Sequence, residues 1–248
     1  IHVETGIGYP TLVEGTIRIF ESYAWRHYHA GKDGRQGAHY EFVIPNYFDI
    51  DDWQPKFSPG EYYAFLGRID ECKGLDTIHE IAKHLPEGSP KIMLAGQGDH
   101  SKWPHPNIIY KGPLKGTERS DFMRNAICSL MPTNFIEPFG GSGVEGLLCG
   151  TPLIATDYGA FTETVQPGFN GFRCKTLADW LIALQRVPKL DRACISRSAR
   201  DTYSLEACGW KYDEAFQKIY QLYDKGWYTL PPEFQPKQRC DKPVCATV

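Results

Sequence analysis

From Glu61 onward, short apolar runs alternate with amphipathic helical stretches, and this beat constrains the fold more than any other feature of the 248 residues. Tyr62-Tyr63-Ala64-Phe65-Leu66 is apolar at every position and reads as a strand buried on both faces. Leu75, Ile78, Ile81, Ala82 and Leu85 then recur at helical spacing, and Lys91-Ile92-Met93-Leu94-Ala95 is a strand again. The pattern continues with strands at residues 107–110, 127–131, 153–156 and 171–174, and helices at 118–125, 144–149, 161–165 and 177–185. Strands joined by helices over connections this short run parallel through right-handed crossovers. The expected fold is therefore α/β, a doubly wound parallel sheet covered on both faces, occupying residues 38–204. Such sheets take their ligands beyond the carboxyl ends of the strands.

Two flanks fall outside that unit. In residues 1–37 the positions Ile17, Phe20, Tyr23, Ala24 and Tyr28 predict one helix over residues 11–29, followed by a polar linker, Gly31-Lys32-Asp33-Gly34-Arg35. Residues 205–232 open with a long amphipathic helix over 205–225, built on Tyr212, Ala215, Phe216, Ile219, Tyr220 and Tyr223, with Gly226 suited to its C′ position. Trp227, Tyr228, Pro231 and Pro232 beyond it are expected to lie against something, and residues 233–248 read as a polar tail. The start, Ile1-His2-Val3-Glu4-Thr5-Gly6, has neither a methionine nor a basic leader and looks like a cut inside a longer polypeptide.

Charge and cysteine content narrow the function classes. Twenty-seven basic and 30 acidic residues are well mixed and leave a net charge of −3, so no nucleic acid or membrane surface is held by bulk charge, and any anion must be gripped locally. No apolar run approaches the ~20 residues of a membrane span. The eight cysteines form no C-x-x-C pair, which fits reduced thiols and a cytoplasmic location. Only Cys240 and Cys245 are spaced to tempt a disulfide or metal assignment.

Several turns carry residues suited to an anion. Gly67-Arg68-Ile69-Asp70-Glu71-Cys72-Lys73-Gly74 places a guanidinium and an ammonium around one turn, where they could clamp a diphosphate; alternatively Arg68 pairs with Asp70 or Glu71 on the surface. Gly96-Gln97-Gly98 and Gly112-Pro113-Leu114 permit close backbone approach to a ligand but also serve ordinary turns. Gly6-Ile7-Gly8-Tyr9 reads equally as a cleft rim or a plain strand-to-helix turn. The most informative stretch runs from Glu137-Pro138-Phe139-Gly140-Gly141-Ser142-Gly143 into a helix bearing Val144, Leu147 and Leu148, so that free amides and a positive dipole end face the sheet edge. Glu145 fits a capping box with Ser142, whereas Glu137 stands where no helix needs a cap and is otherwise a solvated loop carboxylate.

Glu137-Pro138-Phe139-Gly140-Gly141, Glu145 eight positions after Glu137, and Cys149-Gly150-Thr151-Pro152-Leu153-Ile154-Ala155-Thr156-Asp157, with Gly67-Arg68 and Lys73-Gly74 upstream, resemble one known arrangement. It is the carboxyl-terminal, donor-binding, Rossmann-like half of a retaining GT-B glycosyltransferase, and more closely the "glycosyl transferases group 1" family, over residues 43–184. The resemblance implies a hexosyltransferase-like enzyme that moves a sugar from a nucleotide-diphosphate donor with retention of configuration. It implies that Arg68 and Lys73 neutralise the departing diphosphate, that Glu137 lies near the transferred sugar, and that the amides of Phe139, Gly140 and Gly141 contact sugar or phosphate. Glu145 is expected on the ribose hydroxyls, with Gly96, Gln97, Gly112 and Leu114 seating the nucleoside. Ala160-Phe161-Thr162-Glu163 matches a segment facing the cleft, without an assigned role.

Neither metal nor cofactor is implied by that resemblance. The implied partners are the nucleotide-sugar donor, an unspecified acceptor, and an amino-terminal domain or partner chain against helix 205–225. The isolated chain is expected to bind nucleotide better than it transfers sugar. Rival readings are a GT-B epimerase or phosphorylase and a non-catalytic nucleotide-sugar-binding module. A dehydrogenase fits worst, because Arg68 stands where a G-x-G-x-x-G fingerprint is needed.

Overall fold

A computed structural model of the protein describes residues 1–36, 40–224, 226, 230 and 234. Residues 3–43 build a small parallel sheet of β1 (Val3–Ile7), β2 (Ile17–Phe20) and β3 (Glu41–Val43), with helix α1 (Tyr23–Lys32) between the second and third strands. The single helix expected over residues 11–29 is thus a strand, a tight turn and a helix. Ile17, Phe20, Tyr23 and Ala24 mimic helical spacing, but Ser22 is the N-cap of α1 and its side chain accepts from Trp25 N. That cap breaks the run into two elements. Gly31 and Lys32, expected in a linker, lie in the last turn of α1. Glu41 pairs in register with Arg18, so β3 belongs to the small sheet although its residues fall within 38–204.

The six-stranded sheet follows, from β4 (Tyr62–Leu66), β5 (Ile92–Ala95) and β6 (Ile108–Gly112) to β7 (Ala126–Met131), β8 (Leu153–Thr156) and β9 (Gly171–Cys174). Every pairing is parallel and the order is β6-β5-β4-β7-β8-β9, a doubly wound sheet. Helices α2 (Leu75–His84) and α6 (Leu177–Arg186) cover one face, while α3 (Thr117–Arg124), α4 (Gly141–Leu148) and α7 (Arg192–Tyr203) cover the other. The short α5 (Phe161–Thr164) leads away from β8. Along β4 the side chains alternate between two cores: Tyr63 and Phe65 pack with Ile78 and Ile81, and Ala64 and Leu66 with Val144 and Leu147. This double burial explains why β4 is apolar throughout.

Helix α7 was not anticipated, because much of its inner face is polar. Its Arg192 is buried and donates to the carbonyls of Lys56, Ala126 and Arg124 and to Thr151 Oγ1, which satisfies the guanidinium without a carboxylate.

Helix α8 (Leu205–Leu222) seats Cys208 and Ala215 on Ile19 and Ile44 of the small-sheet segment, and leaves Trp210 and Tyr220 exposed. It ends at Leu222, before the expected limit, and Asp224 takes the left-handed conformation (φ 61°) ahead of Gly226. The expectations for Ala38, Lys225, Trp227, Tyr228, Pro231, Pro232, Cys240, Cys245 and the tail fall outside the described residues. The six described cysteines are free. Among the described residues, no helix is long and apolar enough to cross a membrane.

Candidate functional site

Strand order reverses between β4 and β7, and the turns leaving their carboxyl ends meet there. In the turn after β4, Asp70 caps a 3-10 turn (Glu71–Lys73) by accepting from Cys72 N, a bond that holds its carboxyl below the usual range. The Glu71 carboxylate takes Lys102 Nζ at 2.9 Å. Both surface partners offered to Arg68 by the sequence are therefore engaged, and Arg68 is exposed with no ion pair or hydrogen bond among the described residues. Lys73 turns inward, with Nζ 2.9 Å from Glu137 Oε2 and 4.6 Å above the centre of the Phe135 ring. Gly74 makes this approach possible: it has φ +79°, and a Cβ there would lie 1.8 Å from the Pro132 carbonyl oxygen at the end of β7.

The loop after β7 delivers the second wall. Glu137 is 8% exposed and held by Lys73, so it is not a solvated loop carboxylate. Gly140 (φ +80°) precedes α4 and lies so close to Phe161 that a Cβ would sit 2.6 Å from the ring. The capping box expected from Ser142 and Glu145 does not form. Gly140 occupies the N-cap, Ser142 lies inside the helix and donates to Met131 Sδ at 3.3 Å, and Glu145 receives Arg119 Nη2 at 2.5 and 2.6 Å. Burial pushes the Glu145 carboxyl above its ordinary value, against the opposing pull of Arg119.

Helix starts differ in how they are capped, and the two that follow β4 and β7 lack a side-chain cap. Helices α1, α6, α7 and α8 begin with Ser22, Thr176, Asp191 and Ser204, whose side chains bond first-turn amides. By contrast α2, α3 and α4 begin at Gly74, Gly116 and Gly140 with no side-chain cap. In α4 the Gly143 amide turns back onto Gly140 O at 2.9 Å, and in α3 the Glu118 and Arg119 amides bond Lys115 O and Gly116 O; the first amides of α2 and α4, Leu75, Asp76, Gly141 and Ser142, are left for an anion.

Between the loop after β7 and the carboxyl ends of the small sheet lies a cavity of about 340 Å³, with Gly8, Glu21 and Asn46 facing Glu137, Gly140 and Gly141. Phe139 also lines it. The structure thus brings together Lys73, Glu137, Phe139, Gly140 and Gly141. Gly96, Gln97 and Leu114 sit instead on the turns beyond β5 and β6, and Gly112 at the end of β6, outside this cavity: Gln97 O accepts from Ile69 N at 2.8 Å, Gly96 N donates to Gly112 O at 3.0 Å, and Leu114 packs half-buried on the α4 side.

Two participants, Arg119 and Glu21, were not singled out in the sequence, and the cleft-facing segment that ends in Glu163 was named without a role. Glu163 accepts from Tyr23 N (2.9 Å) and Ala24 N (2.8 Å), so the segment at residues 160–163 caps α1 from across the cleft. Arg119 holds Glu145. Glu21, on the cavity wall, accepts from Asn46 Nδ2 at 2.7 Å. The usable signal for Glu21 is a carboxylate directly after the short strand-like run Ile17-Arg18-Ile19-Phe20, hidden when that run is read as helix.

A doubly wound sheet whose switch point gathers uncapped helix starts, the exposed Arg68 guanidinium and a buried Lys–Glu pair, faced by a second parallel sheet, has the architecture of a GT-B glycosyltransferase. Residues 48–184, more than half of the chain, match the family "Glycosyl transferases group 1", and the chain belongs to that family. It is 27% identical over 179 residues to glycogen synthase of Mycobacterium tuberculosis, a match covering 64% of this chain and 42% of that protein. It is 25% identical over 206 residues to D-inositol 3-phosphate glycosyltransferase of Rhodococcus erythropolis, covering 73% and 46%. The chain thus spans less than half the length of either relative. The crystal structure of Anabaena HepE in complex with UDP shares the fold, with a TM-score of 0.70 over 82% of this chain and 64% of that one, at 16% identity.

Proposed function

We propose that this chain carries the donor side of a retaining hexosyl transfer from a nucleotide-diphosphate sugar to an acceptor hydroxyl. The reading rests above all on Lys73 and Glu137 meeting at 2.9 Å beside the uncapped start of α4, at the point where strand order reverses. Breaking the bond between the anomeric carbon and the diphosphate leaves the electron pair on a phosphate oxygen and builds positive charge on the carbon. Fixed cations and helix amides aimed at the leaving group lower that barrier. Arg68, which makes no hydrogen bond or ion pair among the described residues, and Lys73 meet the diphosphate together with the amides of α4. Glu137 holds a hydroxyl of the transferred sugar.

Glu145 takes the ribose hydroxyls when Arg119, 37% exposed, swings toward solvent. Gly96, Gln97, Gly112 and Leu114 seat the nucleoside. The acceptor oxygen attacks from the face the diphosphate leaves, and the departing phosphate takes its proton, so that configuration is retained with neither cofactor nor metal in the step. A uridine nucleotide is the first candidate, since a structural neighbour is a complex with UDP.

The test is calorimetric titration of the chain with UDP, GDP and ADP, followed by assay of free nucleoside diphosphate released from the matching sugar donor. Tight binding of one of the three is expected, with release stimulated by an acceptor once the remainder of a full-length enzyme is supplied. Failure of all three to bind, or a co-crystal with the diphosphate far from Phe139-Gly140-Gly141, overturns the reading.

A further inference from the structure

Of the two carboxyls lining the 340 Å³ cavity, Glu21 is the one that donor binding leaves unused. It stands one residue beyond β2, at the carboxyl edge of the small sheet. Its side chain crosses directly over Gly8, where a Cβ would lie 2.3 Å from Glu21 Oε2, so the glycine is what lets the carboxyl lie along the wall. Asn46 Nδ2 donates to Oε1 at 2.7 Å and fixes the orientation, which leaves Oε2 without a hydrogen bond among the described residues. Opposite stands Glu137, whose charge Lys73 meets at 2.9 Å; Glu21 has no cation partner among the described residues. Burial raises the Glu21 carboxyl above its ordinary value; Asn46 opposes the shift and the charge of Glu137 adds to it. Among the described residues, the lining holds these two carboxyls and no lysine, arginine or histidine.

We propose that Glu21, oriented by Asn46, binds a hydroxyl of the acceptor, and that the acceptor is uncharged where it enters this cavity: a polyhydroxylated sugar or polyol rather than a sugar phosphate or sugar acid. This rests on the transferase reading above and adds the class of its second substrate. A neutral hydroxyl donates to Oε2 and needs no cation on the wall. A phosphate in the same place faces two carboxyls of which only one has a counter-ion, and like charges juxtaposed at close range are strongly unfavourable. Glu21 positions the acceptor, and the proton of the attacking hydroxyl still leaves with the diphosphate.

The test uses the 248-residue chain saturated with whichever of UDP, GDP and ADP it binds, and ligand-observed NMR titrations of glucose and mannose against their 6-phosphates. The parent is expected to bind the neutral sugars at least about tenfold more tightly than the phosphates. Glu21→Gln is expected to narrow that gap to within about threefold, the change expected when like-charge repulsion is halved. Asn46→Ala, which keeps both carboxyls, is expected to weaken the neutral sugars, and it serves as the second variant should Glu21→Gln unfold below the parent's temperature. Equal binding of both sugar types by the parent, binding of neither, or a gap untouched by Glu21→Gln overturns the proposal. Nucleotide bound with no sugar preference overturns this assignment alone. Failure to bind any nucleotide overturns the transferase reading and the acceptor assignment with it.

Discussion

Arg68 and Lys73 lie on the same turn, yet they are held differently, and their removal separates binding from stability. Arg68 is exposed with no hydrogen bond or ion pair among the described residues, its charge reaching only Asp70 and Cys72 at long range, so Arg68→Ala is expected to weaken nucleoside diphosphate binding by about 1–3 kcal/mol, the range for charged hydrogen bonds, while leaving the unfolding temperature nearly in place. Lys73 is 15% exposed and paired with Glu137, so Lys73→Ala is expected to weaken binding on the same scale of about 1–3 kcal/mol and also to lower the unfolding temperature, because it strands a buried carboxylate. Titration calorimetry beside thermal unfolding reads both effects. An Arg68→Ala variant that binds like the parent would place the clamp elsewhere. The wall residue Glu21 gives a pH signature. Its folded value is raised, chiefly by burial, so the native state favours the protonated form. The stability this contributes is present near pH 4, around the unfolded value of about 4.3, and is lost as pH rises through the folded value. Glu21→Gln is therefore expected to raise the unfolding temperature at pH 8 and to do so progressively less toward pH 4; a gain of equal size at both ends would refute the assignment.

At the scale of elements, what the sequence makes legible follows from burial. Strands β4, β7 and β8 are packed on both faces, so their apolar runs stand out, and the helices between them show clean periodicity. The two stretches that carry Lys73 and Glu137 also stood out, through the motif resemblance, and the fold brings those two side chains within 2.9 Å. The small sheet was not: β2 and α1 abut across Glu21 and Ser22, and their combined apolar positions imitate one helix. Helix α7 hid because Arg192 and Ser196 are buried in it as hydrogen-bonding groups. Glu163 hid for another reason, since its partners Tyr23 and Ala24 are remote in sequence. That contact makes α1 a helix capped twice, by Ser22 from its own chain segment and by Glu163 from the large sheet's side of the cleft. Glu163→Ala is expected to cost about 1 kcal/mol, as loss of an N-terminal cap does, and to increase amide hydrogen exchange in α1 more than in α6, whose capping box is self-contained. Uniform protection in both helices would show the contact to be without weight.

For the molecule as a whole, the two sheets turn their carboxyl edges to one cavity, and the chain segments that link them cross at one place. Phe48 N donates to Tyr203 O at 2.9 Å and Leu205 N to Phe48 O at 3.1 Å, so the segment entering the large sheet is bonded to the segment leaving it. Phe48 also stacks on Phe139 with ring centres 6.3 Å apart, which couples that crossing to the glycine-rich loop. In the proposed division of labour the large sheet alone grips the nucleotide, whereas a sugar is touched from both sides. Ligands should then stabilise the chain in two steps. Nucleotide at 100 times its dissociation constant adds about 2.7 kcal/mol. For a protein of this size that corresponds to a rise in unfolding temperature of roughly 5–10 °C. A neutral sugar added on top of saturating nucleotide is expected to raise it further in the parent and less in Glu21→Gln, while Arg68→Ala loses most of the first step at the same nucleotide concentration. The order of the two effects carries the argument: were the sugar to stabilise Glu21→Gln as much as the parent, the small sheet would contribute nothing to the cleft, and recognition would lie on the large sheet alone.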